Sequence, residues 1–322
     1  MVVCRLFLAL PAALSVALAS AAAAAAGNGG FAPVEPQSPN ATAISQTYWL
    51  ILIVTGVIFV LVEGTLILFI VRFRRGRRAR DQEGPQLHGA TKFETASTIV
   101  PILILAGIAA FVFVKLPTIK DVPPAKAESG SLKITIDAHQ YYWQFEYPQG
   151  QVAFQRMAVP LDRVVQLTVV SSDVIHSWWV PALGGKIDAI PGRTNHTWFK
   201  AEKLGHYEVR CAELCGLEHA HMIGWVDVVT PEAYSKFLAD HAGTNAVVGK
   251  EVFDGVCATC HGPLGQRDYG PPLRGNAVVA DPKALEQLLR AGKNKMPAVG
   301  ANWNQQTMDS ATSYLKGRFG GG

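Results

Sequence analysis

Residues Leu132–Pro148 read LKITIDAHQYYWQFEYP. Ile134, Ile136 and Ala138 alternate with polar neighbours, and the stretch is rich in Ile, Thr, Tyr and Trp. This is the pattern of a β-strand with one face in a core. Further strand-like runs follow at short spacing: Arg163–Ser172 (RVVQLTVVSS), Ser177–Ala182 (SWWVPA), Thr194–Ala201 (TNHTWFKA), Gly205–Cys211 (GHYEVRC) and Ile223–Val229 (IGWVDVV). Gly, Pro and Asp separate them. Many short strands with turn signals between them predict an all-β antiparallel sandwich with Greek-key connections over residues 130–230.

The chain before this sandwich has a different character. Of 322 residues only 17 % are charged, and the net charge of +4 is set less by total than by position. The first thirty residues combine Arg5, an apolar core and an alanine run. That pattern predicts a secretory signal over residues 1–26. Cys4 precedes the apolar core and is given no function in the mature chain. Tyr48–Val71 is then apolar for 24 residues, and Thr95–Val114 runs 20 residues without a charge. Either is long enough to cross a hydrocarbon layer of ~30 Å, so residues 44–116 are predicted to form a two-helix transmembrane hairpin. Seven basic residues lie between Arg72 and Lys92. Flanked by two membrane spans, that cluster marks a cytoplasmic loop and not a nucleic-acid surface. Everything after Lys115 is then exported, where thiols oxidise unless a metal or cofactor holds them. Residues 117–130 contain several prolines and read as a linker.

After the sandwich, Thr230 is placed to cap a helix with Pro231 at its first position and Glu232 in its first turn. Residues 246–320 then form a small all-α unit, with helical patterns in VVGKEVFDGVC, DPKALEQLLRAG and NQQTMDSATSYLKGR. Within it Cys257-Ala-Thr-Cys260-His261 matches C-x-x-C-H, in which two thiols add to haem vinyl groups and the histidine takes the iron. The other axial ligand is expected to be Met296, 35 residues downstream, because a thioether suits an electron-transfer haem. Met308 is the competitor, but it shares a helical face with Ala311 and Leu315 and reads as core. A unit of this size needs a staple, which buried haem supplies. The segment resembles small class I c-type cytochromes, and Asp268–Leu273 (DYGPPL) resembles their Gly-Pro loop beside the proximal histidine.

Cys211–Met222 (CAELCGLEHAHM) packs two cysteines, two histidines, two glutamates and a methionine into twelve residues. A Cys211–Cys215 disulfide is one reading. Zinc is a second, although it has no use for a thioether. Copper suits the whole set, since thiolate, imidazole and a weak methionine are the ligands of copper electron-transfer sites. One copper needs only one thiolate, so two cysteines point to two coppers bridged by both. His176, at a strand end 35 residues before Cys211, supplies a second imidazole.

With His176, this stretch is similar to the dinuclear copper A site of cytochrome c oxidase subunit II, and the two-helix hairpin before it has that family's order. The resemblance implies a cupredoxin-like sandwich in which Cys211 and Cys215 bridge the coppers. His176 and His219 are then terminal ligands, Met222 is axial to one copper, and the Glu213 carbonyl is axial to the other. The Glu213 carboxylate is implied to reach a magnesium shared with subunit I. Glu218 and His221 are left outside the ligand set, and Trp178 and Trp179 are expected as walls. The family's aromatic run appears as Gln140-Tyr-Tyr-Trp-Gln144, with Tyr141 where many members carry tryptophan. Tyr141 and Trp143 are the candidate electron-path aromatics. The departure at Tyr141 fits a chain that carries its own cytochrome, because a tethered donor docks at high effective concentration. Glu94, at the start of the second span, matches the glutamate at the mouth of a proton path; it also reads as a helix-capping acid. Glu63 lies deeper in the first span. Asp188 and Arg193 match a motif near the interface with subunit I.

Together these readings predict subunit II of a haem-copper cytochrome c oxidase with a fused cytochrome c. It would carry two copper ions and one covalent haem c, and its partners would be subunit I, the other oxidase subunits, the lipid bilayer and an external donor. That donor is a cytochrome c or a quinol-oxidising complex. The expected site is the inner membrane of a bacterium, with both redox domains on the periplasmic side. A membrane-anchored electron carrier and the copper subunit of a nitric oxide reductase are the competing functions. Quinol oxidase subunit II, which lacks copper, does not fit the intact cysteine pair.

Overall fold

The computed structural model describes residues 33–73, 89–123, 130–266 and 269–321. The expected signal, most of the basic loop and Asp268 lie outside the described residues. Thr42–Ile119 forms one compact unit, and the chain from Lys120 onward, with the segment before Thr42, forms another.

α1 (Pro39–Phe73) and α2 (Thr91–Lys120) are long apolar helices, and the most hydrophobic stretch of each has no protein packed around it, as lipid-facing helices require. Both run past the predicted spans. Glu94 explains part of the extension, because its carboxylate accepts a hydrogen bond from Ala90 N at 3.1 Å and satisfies a donor ahead of the first turn. At the other end α2 continues through Pro117 to Lys120, so the expected linker starts four residues late. Proline lacks the N–H but keeps a helical φ, and long membrane helices tolerate it.

In the second unit two five-stranded sheets face each other, ordered β3-β2-β1-β5-β8 and β4-β10-β9-β6-β7. The strands are β1 (Leu132–His139), β2 (Tyr142–Glu146), β3 (Val152–Phe154), β4 (Arg156–Pro160), β5 (Val164–Ser171), β6 (His176–Trp179), β7 (Ile187–Ala189), β8 (Asn195–Lys200), β9 (Gly205–Cys211) and β10 (Ile223–Val229). Ile136, Phe145, Val169, Val209 and Val226 are fully buried between the sheets. The single strand predicted over Leu132–Pro148 is a hairpin. His139 pairs with Tyr142 across Gln140–Tyr141, so the inward face passes from even-numbered residues (Ile134, Ile136, Ala138) to odd-numbered ones (Trp143, Phe145), and the aromatic run at the turn hides the change of phase.

The wholly antiparallel expectation also needs correction, because β1 pairs with β5 and β10 with β4 in parallel. Gln155, with a positive φ of 60°, lies between β3 and β4, where the chain passes from one sheet to the other. The next strand, β5, returns to the first sheet and lies beside β1 in the same direction. The segment before α1 and the first residues of that helix are tied to this sandwich: Gln37 N donates to Ala182 O at 2.7 Å and Asn40 Nδ2 to Trp198 O at 2.6 Å.

Helix α3 (Pro231–Asp240) starts as predicted, with Thr230 Oγ1 accepting from Ala233 N. The helical domain comprises α4 (Ala246–Val252), a π turn over Phe253–Cys257, α5 (Ala258–His261), α6 (Ala277–Ala280), α7 (Pro282–Ala291) and α8 (Gln305–Phe319). Asn245, Asp281 and Asn304 cap α4, α7 and α8. Where α4 crosses α8, a Cβ on Gly249 would lie 2.3 Å from Ser310 O, so only glycine allows the helices this close. Tyr142, Val152 and Phe154 of the sandwich belong to the same apolar cluster as Val252, Phe253 and Met308 of the helices. Edge strand β3 is thus built into the helical core, and the domain is docked as well as tethered.

Candidate metal centre

Two neighbouring strands set the site. Trp178 of β6 is in register with Cys211 of β9, which brings His176 at the start of one strand to Cys211 at the end of the other. The β9–β10 connection then folds back over this corner. Cys211 Sγ lies 3.9 Å from His176 Nδ1, 3.9 Å from Cys215 Sγ and 3.2 Å from Glu213 O. Cys215 Sγ lies 3.6 Å from His219 Nδ1 and 3.8 Å from Met222 Sδ. All six predicted donors therefore converge. Both cysteines are free thiols, so the disulfide reading does not describe this structure. His176 and Met222 are fully buried, while Cys211 is half-buried.

The surroundings orient these donors. Asp173 Oδ1 accepts from His176 Nε2 at 2.8 Å, which turns Nδ1 toward Cys211. Trp143 stands edge-on to both His176 and Trp178, with ring centroids 6.3 and 5.1 Å away, and forms a dry wall. Trp179 is half-buried beside it in the strand. Burial raises the Cys211 thiol, but hydrogen bonds from His176 and at the Ser177 and Glu213 backbone outweigh it and bring the pKa down to about 6. Cys215 is pushed up to about 12 by burial and by the neighbouring Cys211 charge. The pair thus repels a second negative charge until a cation is shared between them. Glu218 and His221, excluded from the ligand set, bond to each other at 2.5 Å with the His221 ring turned to solvent.

The three aromatics of the β1–β2 hairpin go to three places. Tyr141 Oη accepts from Leu217 N at 3.0 Å, and Gln140 Nε2 donates to Cys215 O at 2.6 Å, so the turn braces the thiolate loop. A Cβ on Gly216 would lie 2.5 Å from that Tyr141 hydroxyl. Tyr142 points the other way, into the helical domain, where Oη donates to Val299 O at 2.7 Å. Trp143 turns inward to His176. Sequence reasoning missed Asp173, Tyr142 and Gln155; only Asp173 carried a signal, its placement three residues ahead of His176.

Near this site Lys186 Nζ stands 2.9 Å from Asp188 Oδ1 and 3.7 Å from Glu213 Oε2, joining two of the expected interface residues through an ammonium. Ser177 Oγ also donates to Asp188. Arg193 is exposed, with its backbone N bonded to Ile190 O.

In the helical domain Cys257 and Cys260 are half-buried and lie just ahead of His261, with no disulfide between them. Burial pushes the Cys257 thiol up to about 12, with Cys260 and Asp254 adding to the shift. His261 Nδ1 donates to Pro271 O at 2.7 Å, which leaves Nε2 as the free donor. Gly270 makes room for that ring, because a Cβ there would lie 2.6 Å from it. Met296 is half-buried at a tight turn closed by Lys293 and Met296 backbone bonds. Met308 is fully buried in the core, as its helical spacing predicted.

The fold and these two donor sets define a class: a membrane-anchored redox subunit with a two-thiolate centre on a cupredoxin-like sandwich and a C-x-x-C-H domain behind it. Residues 30–114 match the family described as cytochrome c oxidase subunit II, transmembrane domain, and residues 151–229 match its periplasmic domain. Residues 244–315 match cytochrome c oxidase, cbb3-type, subunit III. The chain is 31 % identical to cytochrome c oxidase subunit 2 of Alkalihalophilus pseudofirmus over 90 % of this chain and 91 % of that one. It is 31 % identical to the Cereibacter sphaeroides subunit 2 over 67 % of this chain and 81 % of that one. Among solved structures, the periplasmic domain of subunit II of the Bradyrhizobium japonicum cytochrome oxidase is 36 % identical, with a TM-score of 0.33, covering 34 % of this chain and 92 % of that one. The chain belongs to the cytochrome c oxidase subunit II family, as a member with a C-terminal cytochrome c domain, and is part of a haem-copper oxidase complex.

Proposed function

We propose that this subunit receives electrons at its C-terminal domain and passes them through the sandwich to subunit I of a proton-pumping oxidase that reduces oxygen to water. The carrying observation is the convergence of His176, Cys211, Glu213 O, Cys215, His219 and Met222 on one corner of the sandwich. Two thiolates, two imidazoles, a thioether and a carbonyl are a donor set for two coppers and exceed what a tetrahedral zinc takes. Cys211, Cys215, His176, His219, Met222 and the Glu213 carbonyl would hold the pair, with the two thiolates shared between both ions.

Cys257 and Cys260 would carry the thioether bonds of a haem c, and His261 Nε2 and Met296 would hold its iron. When bound, these groups supply one-electron redox chemistry at potentials suited to transfer. The chain fixes their ligands: Asp173 and the Pro271 carbonyl hold the two histidines in one orientation, and Trp143 and Trp178 keep water from the thiolates. In this reading Tyr141 braces the thiolate loop and Trp143 stays the electron-path aromatic. A magnesium at the Glu213 carboxylate would have to displace Lys186 from it. Glu94 would serve a proton path only when subunit I covers it. The setting is a bacterial inner membrane with both redox domains periplasmic and an external cytochrome c or quinol-oxidising complex as donor.

The intact chain purified from its membrane is expected to give a c-type haem spectrum and an electron paramagnetic resonance pattern from one electron shared by two copper nuclei. Cys215→Ser should abolish the shared pattern and leave the haem spectrum. Persistence of the shared copper signal in that variant refutes the bridge.

A further inference from the structure

We propose that Gln155 is the positioning residue that couples the C-x-x-C-H turn to the wall of the thiolate centre, and so sets the path by which electrons leave the C-terminal domain. This rests on the function proposed above. One electron crosses at a time: the donor site at His261 is oxidised by one, and the acceptor site at Cys211 and Cys215 is reduced by one. No covalent bond forms or breaks and no proton is taken up.

The side chain of Gln155 spans the two domains. Its Nε2 donates to Gly255 O at 3.3 Å, and Gly255 is two residues before Cys257 in the same π turn. Its Oε1 accepts from Trp143 N at 3.0 Å, and its own N donates to Trp143 O at 2.9 Å. The Trp143 ring then stands edge-on to His176. From Cys257 to His176 the links are therefore two residues of backbone, one side-chain amide, one indole and a ring contact.

The position is built for this residue. Gln155 holds a φ of 60°, which costs a non-glycine residue on the order of 1 kcal/mol or more and persists only where surroundings demand it. Two glycines from different domains give it room. A Cβ on Gly255 would lie 2.5 Å from Gln155 Cγ, and one on Gly224 would lie 2.9 Å from Gln155 O.

The other ties between the domains lead elsewhere. Asn302 Nδ2 donates to Ser172 Oγ and Phe154 N donates to Glu251, neither of which touches the Trp143 wall. Tyr142 Oη reaches Val299 O, but its ring stacks on His139 at 4.6 Å, away from the thiolates. Tyr142 therefore serves as the control: it holds the same interface by a bond of similar kind outside the path.

The test uses the full chain in its oxidase complex. A photoexcited ruthenium reductant injects one electron at the C-terminal domain, and decay of the reduced haem c band reports transfer to the copper pair. Gln155→Leu removes both side-chain bonds. Gln155→Glu keeps size and the acceptor for Trp143 N but loses the donor to Gly255 O, and so remains informative if the leucine variant misfolds. Both variants should slow transfer severalfold while the haem spectrum, the shared copper pattern and both reduction potentials stay at wild-type values. Tyr142→Phe should transfer at the wild-type rate. A wild-type rate in Gln155→Glu overturns the inference, as does a Tyr142→Phe rate that falls as far as the Gln155 variants. A wild-type complex lacking either spectrum instead overturns the function on which the inference stands, so the two failures are distinct.

Discussion

Glu251→Ala tests how the helical domain is held against the sandwich. One carboxylate joins three elements there: Glu251 Oε2 accepts from Phe154 N of β3 at 3.1 Å, and Oε1 faces His241 Nε2, just past α3, at 3.0 Å. The His241 side chain is 3 % exposed and stacks on Phe237 at 3.9 Å, with Nδ1 2.8 Å from Phe237 O. Burial lowers the pKa of this ring, but the Glu251 carboxylate and the Phe237 carbonyl outweigh that, and the net shift is upward from 6.5. A raised histidine pKa gives stability that is fully present below the unfolded value. It is lost as pH rises from there through the folded value.

Removing the carboxylate leaves Phe154 N unpaired in a buried setting, at a cost of about 1–3 kcal/mol, and deletes a charge-assisted bond contributing about 1.5–3 kcal/mol. The two terms share one residue and overlap, so the expected loss is roughly 2–4 kcal/mol, or on the order of a hundredfold in the opening equilibrium. Amide hydrogen exchange of the full chain, corrected for intrinsic rates, reads this at Phe154. Protection there should fall about a hundredfold in the variant. In the wild type, protection should be full below the unfolded histidine value of 6.5 and weaken as pH rises from there through the raised folded value, and the variant should lack that pH dependence. Wild-type protection at Phe154 in Glu251→Ala, or an unchanged pH dependence, refutes the reasoning.

Two further substitutions probe the metal donors. Gly270→Ala would put a methyl group 2.6 Å from the His261 ring; overpacking of this kind costs about 1–3 kcal/mol, relieved here by moving the ring off Pro271 O. Haem should stay covalently attached through Cys257 and Cys260 while the absorbance signature of axial Met296 ligation is lost, and an unaltered spectrum contradicts the placement. Tyr141→Phe removes the acceptor for Leu217 N, a bond contributing about 0.5–1.5 kcal/mol, so copper should be lost to a chelator roughly three- to tenfold more readily. Slower electron transfer with unchanged copper retention would instead make Tyr141 part of the electron path and not a brace.

The legible parts of this protein are those whose signal is local. Two apolar runs of membrane length became α1 and α2 because length and composition decide that outcome without tertiary help. The strand ends Gly205, Cys211, Ile223 and Val229 lie where turn residues and alternation put them. Five of the converging donors stood out because their chemistry is restrictive: few functions need two thiols, two imidazoles and a thioether together. The Glu213 carbonyl came only from the family resemblance. What failed was any feature decided by pairing between distant segments. The parallel contacts of β1 with β5 and of β4 with β10 require the chain to change sheets at Gln155 and to return between β4 and β5, and glutamine has no preference for the left-handed region it takes there.

The hairpin at Gln140–Tyr141 shows why period-2 patterning carries so much and still misleads. A two-residue turn inverts parity: the inward set changes from even-numbered Ile134, Ile136 and Ala138 to odd-numbered Trp143 and Phe145, and the run of aromatics at Tyr141–Trp143 covers that change of phase. Parity decides which sheet face a side chain takes, but the fold decides what lies on that face. Here three consecutive aromatics are separated by that step: Tyr141 at the turn reaches the thiolate loop, Tyr142 faces outward into the helical core, and Trp143 faces inward to His176. Tyr142 lies on the outer face of the sheet beside His139 and Phe154, and it is 1 % exposed where the apolar cluster of the helical domain covers that face. The docking surface is thus written into the sandwich as an aromatic of outward parity beside the short edge strand β3. Its partner surface is written into the helices as the glycine at 255. Neither mark has meaning alone, which is why the contact between the two redox domains is visible only once both are folded.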